Sequence, residues 1–345
     1  MIFTGLGYIL LAILVFGVLI FIHEFGHFIT ARIFGVKVKE FSIGMGPKIY
    51  SKISGKSGTV YSLRALPVGG FVDMEGENED SEDENSFRNK AVWKRMIITA
   101  AGAAMNLLLG IVIMFALVFS SRPLVSTVIS GFADGAVSSE AGLMIGDRVV
   151  KVENVSVHTG NELHYEIINQ GYRPLDITVI RDGKRVEIED ISFLSSVQSG
   201  VTFGLRDFNM ATEPANFPNL LKHAFWRSVS TVKMVIDSIA DLIGGRYGIE
   251  AISGPVGTTT VIGDAAKAGG VDFLFVIVVI TMNLGVMNLV PFPALDGGRM
   301  VFLLIELVFR KKVKPEIEGF INFAGLLLLF AFMIFITFKD IMGLI

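Results

Sequence analysis

The sequence predicts a polytopic α-helical membrane protein: four transmembrane helices, a membrane-associated β-element after the first, and an extracytoplasmic α+β domain inserted between the second and third. Three observations lead there. Of 345 residues, 52% are hydrophobic and only 18% charged, whereas roughly a quarter of residues are charged in a soluble domain. Four charge-free stretches, 1–22, 96–121, 273–295 and 319–338, meet or approach the roughly 20 residues that a spanning helix needs. Between the second and third, residues 122–207 turn polar, mixed in charge and rich in turn residues.

No Lys or Arg precedes the apolar core of 1–22, and no small-residue cleavage site follows it. It therefore reads as a retained helix rather than a secretory signal. It runs directly into His23-Glu24-Phe25-Gly26-His27. Two imidazoles four residues apart on a helix share one face and can grip a single zinc, with the intervening glutamate beside the metal-bound water. Ionisable side chains inside a bilayer are expensive and mark function, so the motif points to zinc-dependent chemistry within a membrane.

Residues 36–72 read as β. Short runs at 36–43, 48–53, 59–66 and 69–72 are punctuated by Gly46-Pro47, Ser54-Gly55, Ser57-Gly58 and Gly69-Gly70, which are turn signals. The acidic run 75–85 lacks the spacing of a calcium loop and reads as solvated. Asn106, in the second span, and Asn283, in the third, are expected to make interhelical hydrogen bonds.

Within 122–207, strands are expected at 125–129 and 148–153, and a helix at 161–169 with Leu163, Ile167 and Ile168 on one side. Residues 175–181 and 184–191 alternate and are joined by Asp182-Gly183, a strong hairpin signal. A segment of this length can fold alone. His158 and His164 have no ligand-spaced partner and read as surface or groove residues. Residues 208–272 divide into an amphipathic helix and a connector. In the helix, 220–243, Lys222, Arg227, Lys233, Asp237 and Asp241 interrupt the apolar pattern, so it lies at the interface. The connector carries Gly254-Pro255-Val256-Gly257 and Gly269-Gly270 as breakers.

The third membrane segment, 273–309, contains Asn288-Leu289-Val290-Pro291-Phe292-Pro293-Ala294-Leu295-Asp296-Gly297-Gly298. Its two prolines break the helix, and irregular backbone at membrane depth is tolerated where it lines a wet cavity. The chain has no cysteine, so a metal must be held by His and carboxylate. Catalytic zinc usually keeps three protein ligands and one open position, which makes Asp296 the candidate third ligand. On the residues alone Asp296 is also a plausible helix cap. The histidines alone would equally suit a metal-ion or proton transporter, or could merely pack within a non-catalytic scaffold.

Basic residues set the topology. Arg32, Lys37, Lys39, Lys48, Lys52, Lys56 and Arg64, then Arg88, Lys90, Lys94 and Arg95, follow the first span; Arg310, Lys311, Lys312 and Lys314 precede the last. Both clusters belong inside, which puts the N-terminus, the inserted domain and the C-terminus outside and the motif toward the cytoplasmic side. The net charge of −3 gives no reason to expect nucleic acid.

The stretch Glu140-Ala141-Gly142-Leu143-Met144-Ile145-Gly146-Asp147-Arg148-Val149-Val150-Lys151-Val152 resembles the core of a PDZ domain, a module that binds chain ends by strand addition. Together, the first-span HExxH and the N-x-x-P-x-P-x-L-D-G-G run closely resemble the site-2 protease family of intramembrane metalloproteases. The likeness is to the bacterial branch of regulator of sigma-E protease type, with one PDZ domain. Pro67-Val68-Gly69-Gly70-Phe71-Val72 and Gly254-Pro255-Val256-Gly257 also look like family segments. The resemblance implies Zn2+ held by His23, His27 and Asp296, with Glu24 as general base and Asn288 steadying the substrate backbone. It further implies cleavage of single-span transmembrane proteins, such as anti-sigma factors or remnant signal peptides, already trimmed by another protease. The β-element would add the unwound substrate as a strand, the PDZ-like domain would restrict entry, and the location would be a bacterial plasma membrane.

Overall fold

A computed structural model describes residues 2–120, 123–198 and 200–343. Met1, Ser121 and Arg122, at the ends of predicted segments, lie outside the described residues, as does the Val68 side chain. In chain order the elements begin α1 (Ile2–Ile33), β1 (Val38–Ile53), β2 (Val60–Met74), α2 (Val92–Ser120), β3 (Leu124–Phe132) and α3 (Val137–Glu140). They continue with β4 (Arg148–Val152), β5 (Val155–Ser156), α4 (Gly160–Gln170), β6 (Leu175–Arg181), β7 (Lys184–Ile191), β8 (Leu194–Gln198), β9 (Val201–Leu205) and β10 (Phe208–Glu213). Helices α5 (Phe217–Ile243), α6 (Pro255–Ala268), α7 (Gly270–Leu289), α8 (Asp296–Phe309) and α9 (Pro315–Met342) complete the chain. Among the described residues, four stretches are helical, long and apolar enough to cross a membrane: Gly5–Ile33, Val92–Ser120, Gly270–Leu289 and Pro315–Met342. By internal contacts the chain divides into two units, Met1–Gly110 with Ser253–Ile345, and Ile111–Ile252.

In the first unit, the four short β runs become two long, bent strands. Residues 38–43 of β1 pair on one side with 70–74 of β2 and on the other with 60–63, while 48–53 also pair with 60–64. The runs thus occupy four positions in one antiparallel sheet; Gly46-Pro47 and Gly69-Gly70 are corners within β1 and β2, and Ser54-Gly55 and Ser57-Gly58 turn between them. Gly44, Gly46 and Gly69 adopt φ of +83°, +84° and +84° there, a region nearly closed to residues with a Cβ. Phe28 and Ala31 of α1, Phe41 and Met74 of the sheet, Phe87, and Ile98 of α2 are buried as one core that fastens the sheet to the helices. Phe41 and Phe87, outside the spans, each contribute about 1.5–3 kcal/mol by leaving water, whereas Phe28 and Ile98 contribute through close packing. Helices α1 and α2 cross closely because Gly26 has no side chain; a Cβ there would strike the Ala101 carbonyl.

Two predicted boundaries move. The third span ends at Leu289, short of 295, because Val290 precedes Pro291 and takes an extended conformation, φ −61° and ψ 136°, as residues before proline do. Where a connector was expected, α6 forms. Gly254 is its N-cap and Pro255 its first turn, a position that suits proline. The free N–H groups of Gly254 and Gly257 both donate to the Asp340 carboxylate of α9, at 2.9 Å each.

The second unit holds a sheet of order β10-β3-β4-β6-β7, with β5 paired to β4, and a separate β8-β9 hairpin. Leu163 and Ile167 of α4 join Val149, Val152, Leu175, Ile177 and Val179 in its core. Thr159 caps α4 by accepting from the Glu162 N–H, and Glu162 accepts in turn from the Thr159 hydroxyl at 2.9 Å. The predicted hairpin turns at Asp182 and Gly183, with φ of +51° and +76°, the two positive values that a type I′ turn requires. Strand β10, beyond residue 207, pairs with β3. Helix α5 carries Asn216 as N-cap.

Candidate metal centre

Helix α1 runs unbroken through the HExxH motif, and its 3.6-residue period brings His23 and His27 to one face. Their Nε2 atoms lie 3.2 Å apart. The third member comes from the proline-broken segment. Between α7 and α8 the chain folds back over the first turn of α8, and Cβ atoms at Gly297 and Gly298 would strike the carbonyls of Val290 and Phe292. Ala294 takes φ +73°, strained for a residue with a Cβ, and its N–H donates to Asn322 Oδ1 of α9 at 3.2 Å. Gly325 of α9 lets Pro293 seat directly on that helix. These constraints present Asp296 Oδ2 at 3.1 Å from His23 Nε2 and 3.3 Å from His27 Nε2.

The three atoms form a nearly equilateral triangle. Bonds of about 2.0–2.1 Å in a tetrahedral site require ligand atoms roughly 3.3 Å apart, so the donor set and its spacing fit zinc. Three further features agree. Asp296 Oδ2 is buried without a well-aligned hydrogen-bond partner, an expensive state unless something else binds it. His27 Nδ1 lies 2.8 Å from the Ile98 carbonyl, so Nδ1 carries the proton and the Nε2 lone pair faces the cluster. Gly102 of α2 lies against both histidines, and a Cβ there would collide with both Nε2 atoms. His23, His27 and Asp296 are the one group of three or more potential ligands this close among the described residues.

A cavity of about 280 Å3 opens on the cluster and is lined also by Glu24, Phe71, Val72 and Asn288. Glu24 is half-buried, and Gly70 of β2 passes its side chain, where a Cβ would sit 3.5 Å from Glu24 Cγ. The β-element thus forms one wall and Asn288 stands at the end of α7.

Sequence reasoning missed part of this wall. The acidic run is not merely solvated: Glu77 lines the cavity and pairs with Arg299, which also donates to Asn78 Oδ1 at 2.9 Å. A lone arginine three residues after Asp296 was the available signal. Asn283, expected to bond between helices, is exposed. His158 stacks on Trp226 with ring centroids 3.4 Å apart, His164 is exposed, and His223 is buried beside Glu213.

The model of peptidase family M50 matches residues 11–332. Proteins named "Putative zinc metalloprotease" are similar over nearly their whole length. One from Clostridium acetobutylicum is 36% identical over 96% of this chain and 97% of its own. One from Clostridium perfringens is 33% identical over 97% and 98%. The regulator of sigma-W protease RasP of Bacillus subtilis is 27% identical over 96% of this chain and 97% of its own.

Proposed function

This chain belongs to peptidase family M50, and on that footing we propose that His23, His27 and Asp296 hold the Zn2+ of an intramembrane endopeptidase with Glu24 as its general base. It is a peptide hydrolase of regulated intramembrane proteolysis. The observation that carries the site assignment is the convergence of three potential ligand atoms, 3.1–3.3 Å apart, from two helices at opposite ends of the sequence.

When bound, zinc supplies Lewis-acid polarisation of the scissile carbonyl and an acidified water. Glu24, on the same helical turn as the histidines, takes the water's proton and returns it to the departing amine, leaving an acid and a free amine. Asn288 faces the cavity and holds the substrate backbone. A helical substrate hides its carbonyls in its own hydrogen bonds, so it must unwind, and the β-element is placed to supply replacement bonds by strand addition. The sheet of β3, β4, β6, β7 and β10 with α4 acts as a PDZ-like module that restricts entry to substrates already trimmed by another protease. The N-terminus, that module and the C-terminus face outward from a bacterial plasma membrane, and the active site lies toward the cytoplasm. The substrates are single-span membrane proteins such as anti-sigma factors.

The test compares wild type with Glu24→Gln, both in detergent with zinc quantified, on a single-span substrate trimmed outside. Cleavage within the span by wild type alone, at equal zinc content, is expected. A variant that cuts as fast as wild type would remove Glu24 from the chemistry.

A further inference from the structure

The proton on His23 has no acceptor in the arrangement as it stands. His23 Nε2 faces the cluster, so its lone pair must point there for a metal to bind, and a neutral imidazole then carries its proton on Nδ1. For His27 the same demand is met by the Ile98 carbonyl, at 2.8 Å from Nδ1. Among the described residues, the polar atom paired with His23 Nδ1 is Asn106 Nδ2, at 3.5 Å. That atom is a donor, so two N–H groups would face each other. Asn106 is 1% exposed, and its Oδ1 is buried with no hydrogen-bond partner. The nitrogen and oxygen of an amide are nearly interchangeable in shape. A half-turn of this amide places Oδ1 against His23 Nδ1 and gives the orphaned acceptor a donor.

We propose that Asn106 is a positioning residue of the metal centre, accepting a hydrogen bond from His23 Nδ1–H and fixing the tautomer that offers Nε2 to the metal. The inference rests on the zinc assignment above. Ile98, Gly102 and Asn106 follow one another at four-residue spacing and so form a single stripe on α2. The stripe supplies a backbone acceptor for one histidine, an open space over both Nε2 atoms, and a side-chain acceptor for the other. The first acceptor survives any substitution at its position; the second exists only in a residue with an oxygen to offer. Outer acceptors of this kind typically govern metal affinity by 10- to 100-fold.

The experiment measures zinc affinity by chelator competition on purified full-length protein in detergent, without any substrate. Asn106→Leu keeps the volume and removes the acceptor; Asn106→Asp keeps an acceptor. Thr281→Val removes the hydroxyl that donates to the main-chain carbonyl of Asn106 at 3.1 Å and controls for local packing. Expected is a loss of about 10- to 100-fold for Asn106→Leu, with Asn106→Asp and Thr281→Val close to wild type. Wild-type affinity in Asn106→Leu, or an equal loss in Asn106→Asp, would overturn the proposal while leaving the zinc site intact. Wild type that binds no zinc would overturn both. If the variants do not fold, 15N-histidine NMR of zinc-loaded wild type decides: a His23 Nδ1–H that exchanges with solvent as slowly as that of His27 supports the hydrogen bond to Asn106, and one that exchanges as an unbonded N–H refutes it.

Discussion

Two aspartates, one in each unit, are treated in opposite ways, Asp147 being buried and Asp296 half-buried with an enclosed Oδ2. Asp147 of the second unit is 1% exposed, and both its oxygens are used. Arg181 donates to them at 2.8 and 2.7 Å, and the Met144 N–H adds a third bond at 2.9 Å. Burial alone would raise its pKa, but the Arg181 bonds and the Met144 N–H outweigh that and hold it below the usual value. Asp296 of the first unit has one oxygen against two imidazole nitrogens and no aligned donor for it. Saturation marks a structural carboxylate. An unspent acceptor, kept in place by a strained Ala294 and two glycines, marks one reserved for a ligand.

Substituting each aspartate separates the two roles. Asp296→Ala is expected to abolish both stoichiometric zinc and cleavage while the protein stays folded, measured by metal analysis and a peptidase assay. Retained zinc would mean that the third ligand lies elsewhere. Gly102→Ala should come next. In an ordinary helix interior this change stabilises by roughly 0.5–1 kcal/mol, but here the new Cβ enters the cluster, so zinc content should fall sharply. Gly7, which has nothing within 4 Å of a Cβ, is the matched control, and Gly7→Ala should leave zinc unchanged.

Asp147→Ala should do the reverse of Asp296→Ala. It leaves Arg181 short of its carboxylate and is expected to destabilise the second unit by about 2–3 kcal/mol, read by hydrogen exchange in β4 and β6, with zinc retained. Smallest is the pH dependence of the β-element. Burial would raise the pKa of Glu40, but bonds from Lys48, Ser62 and Arg64 bring it down from 4.5 to about 2. A carboxylate lowered in the folded state stabilises fully above its unfolded value and loses that contribution as pH falls through the folded one. Protection of β1 and β2 amides should therefore weaken as pH drops from about 4.5 toward about 2, and Glu40→Gln should flatten that change. An unchanged slope would dissociate Glu40 from the stability of the sheet.

The parts that could be read from the sequence are those in which function and local pattern coincide. The HExxH spacing is helical by itself, the apolar lengths are sufficient by themselves, and Asp182-Gly183 specifies its own turn. What escaped depended on distant chain. Gly254-Pro255 reads as a breaker until Asp340 supplies the acceptor that makes it a helix start. Gly102 and Asn106 look like ordinary residues of a span until α1 is laid against them. Glu77 looks solvated until Arg299 arrives from α8. Strands β8, β9 and β10 are only 5, 5 and 6 residues long, too short for alternation to mark them without their pairing partners.

Zinc K-edge absorption on the purified, zinc-loaded protein addresses the metal centre most directly. Two imidazole nitrogens and carboxylate or water oxygens at about 2.0–2.1 Å are expected, and His23→Ala, which removes one of the three ligands, should lose stoichiometric zinc as Asp296→Ala does. A zinc shell without two imidazoles, or one unchanged by that substitution, would contradict the assignment of His23, His27 and Asp296.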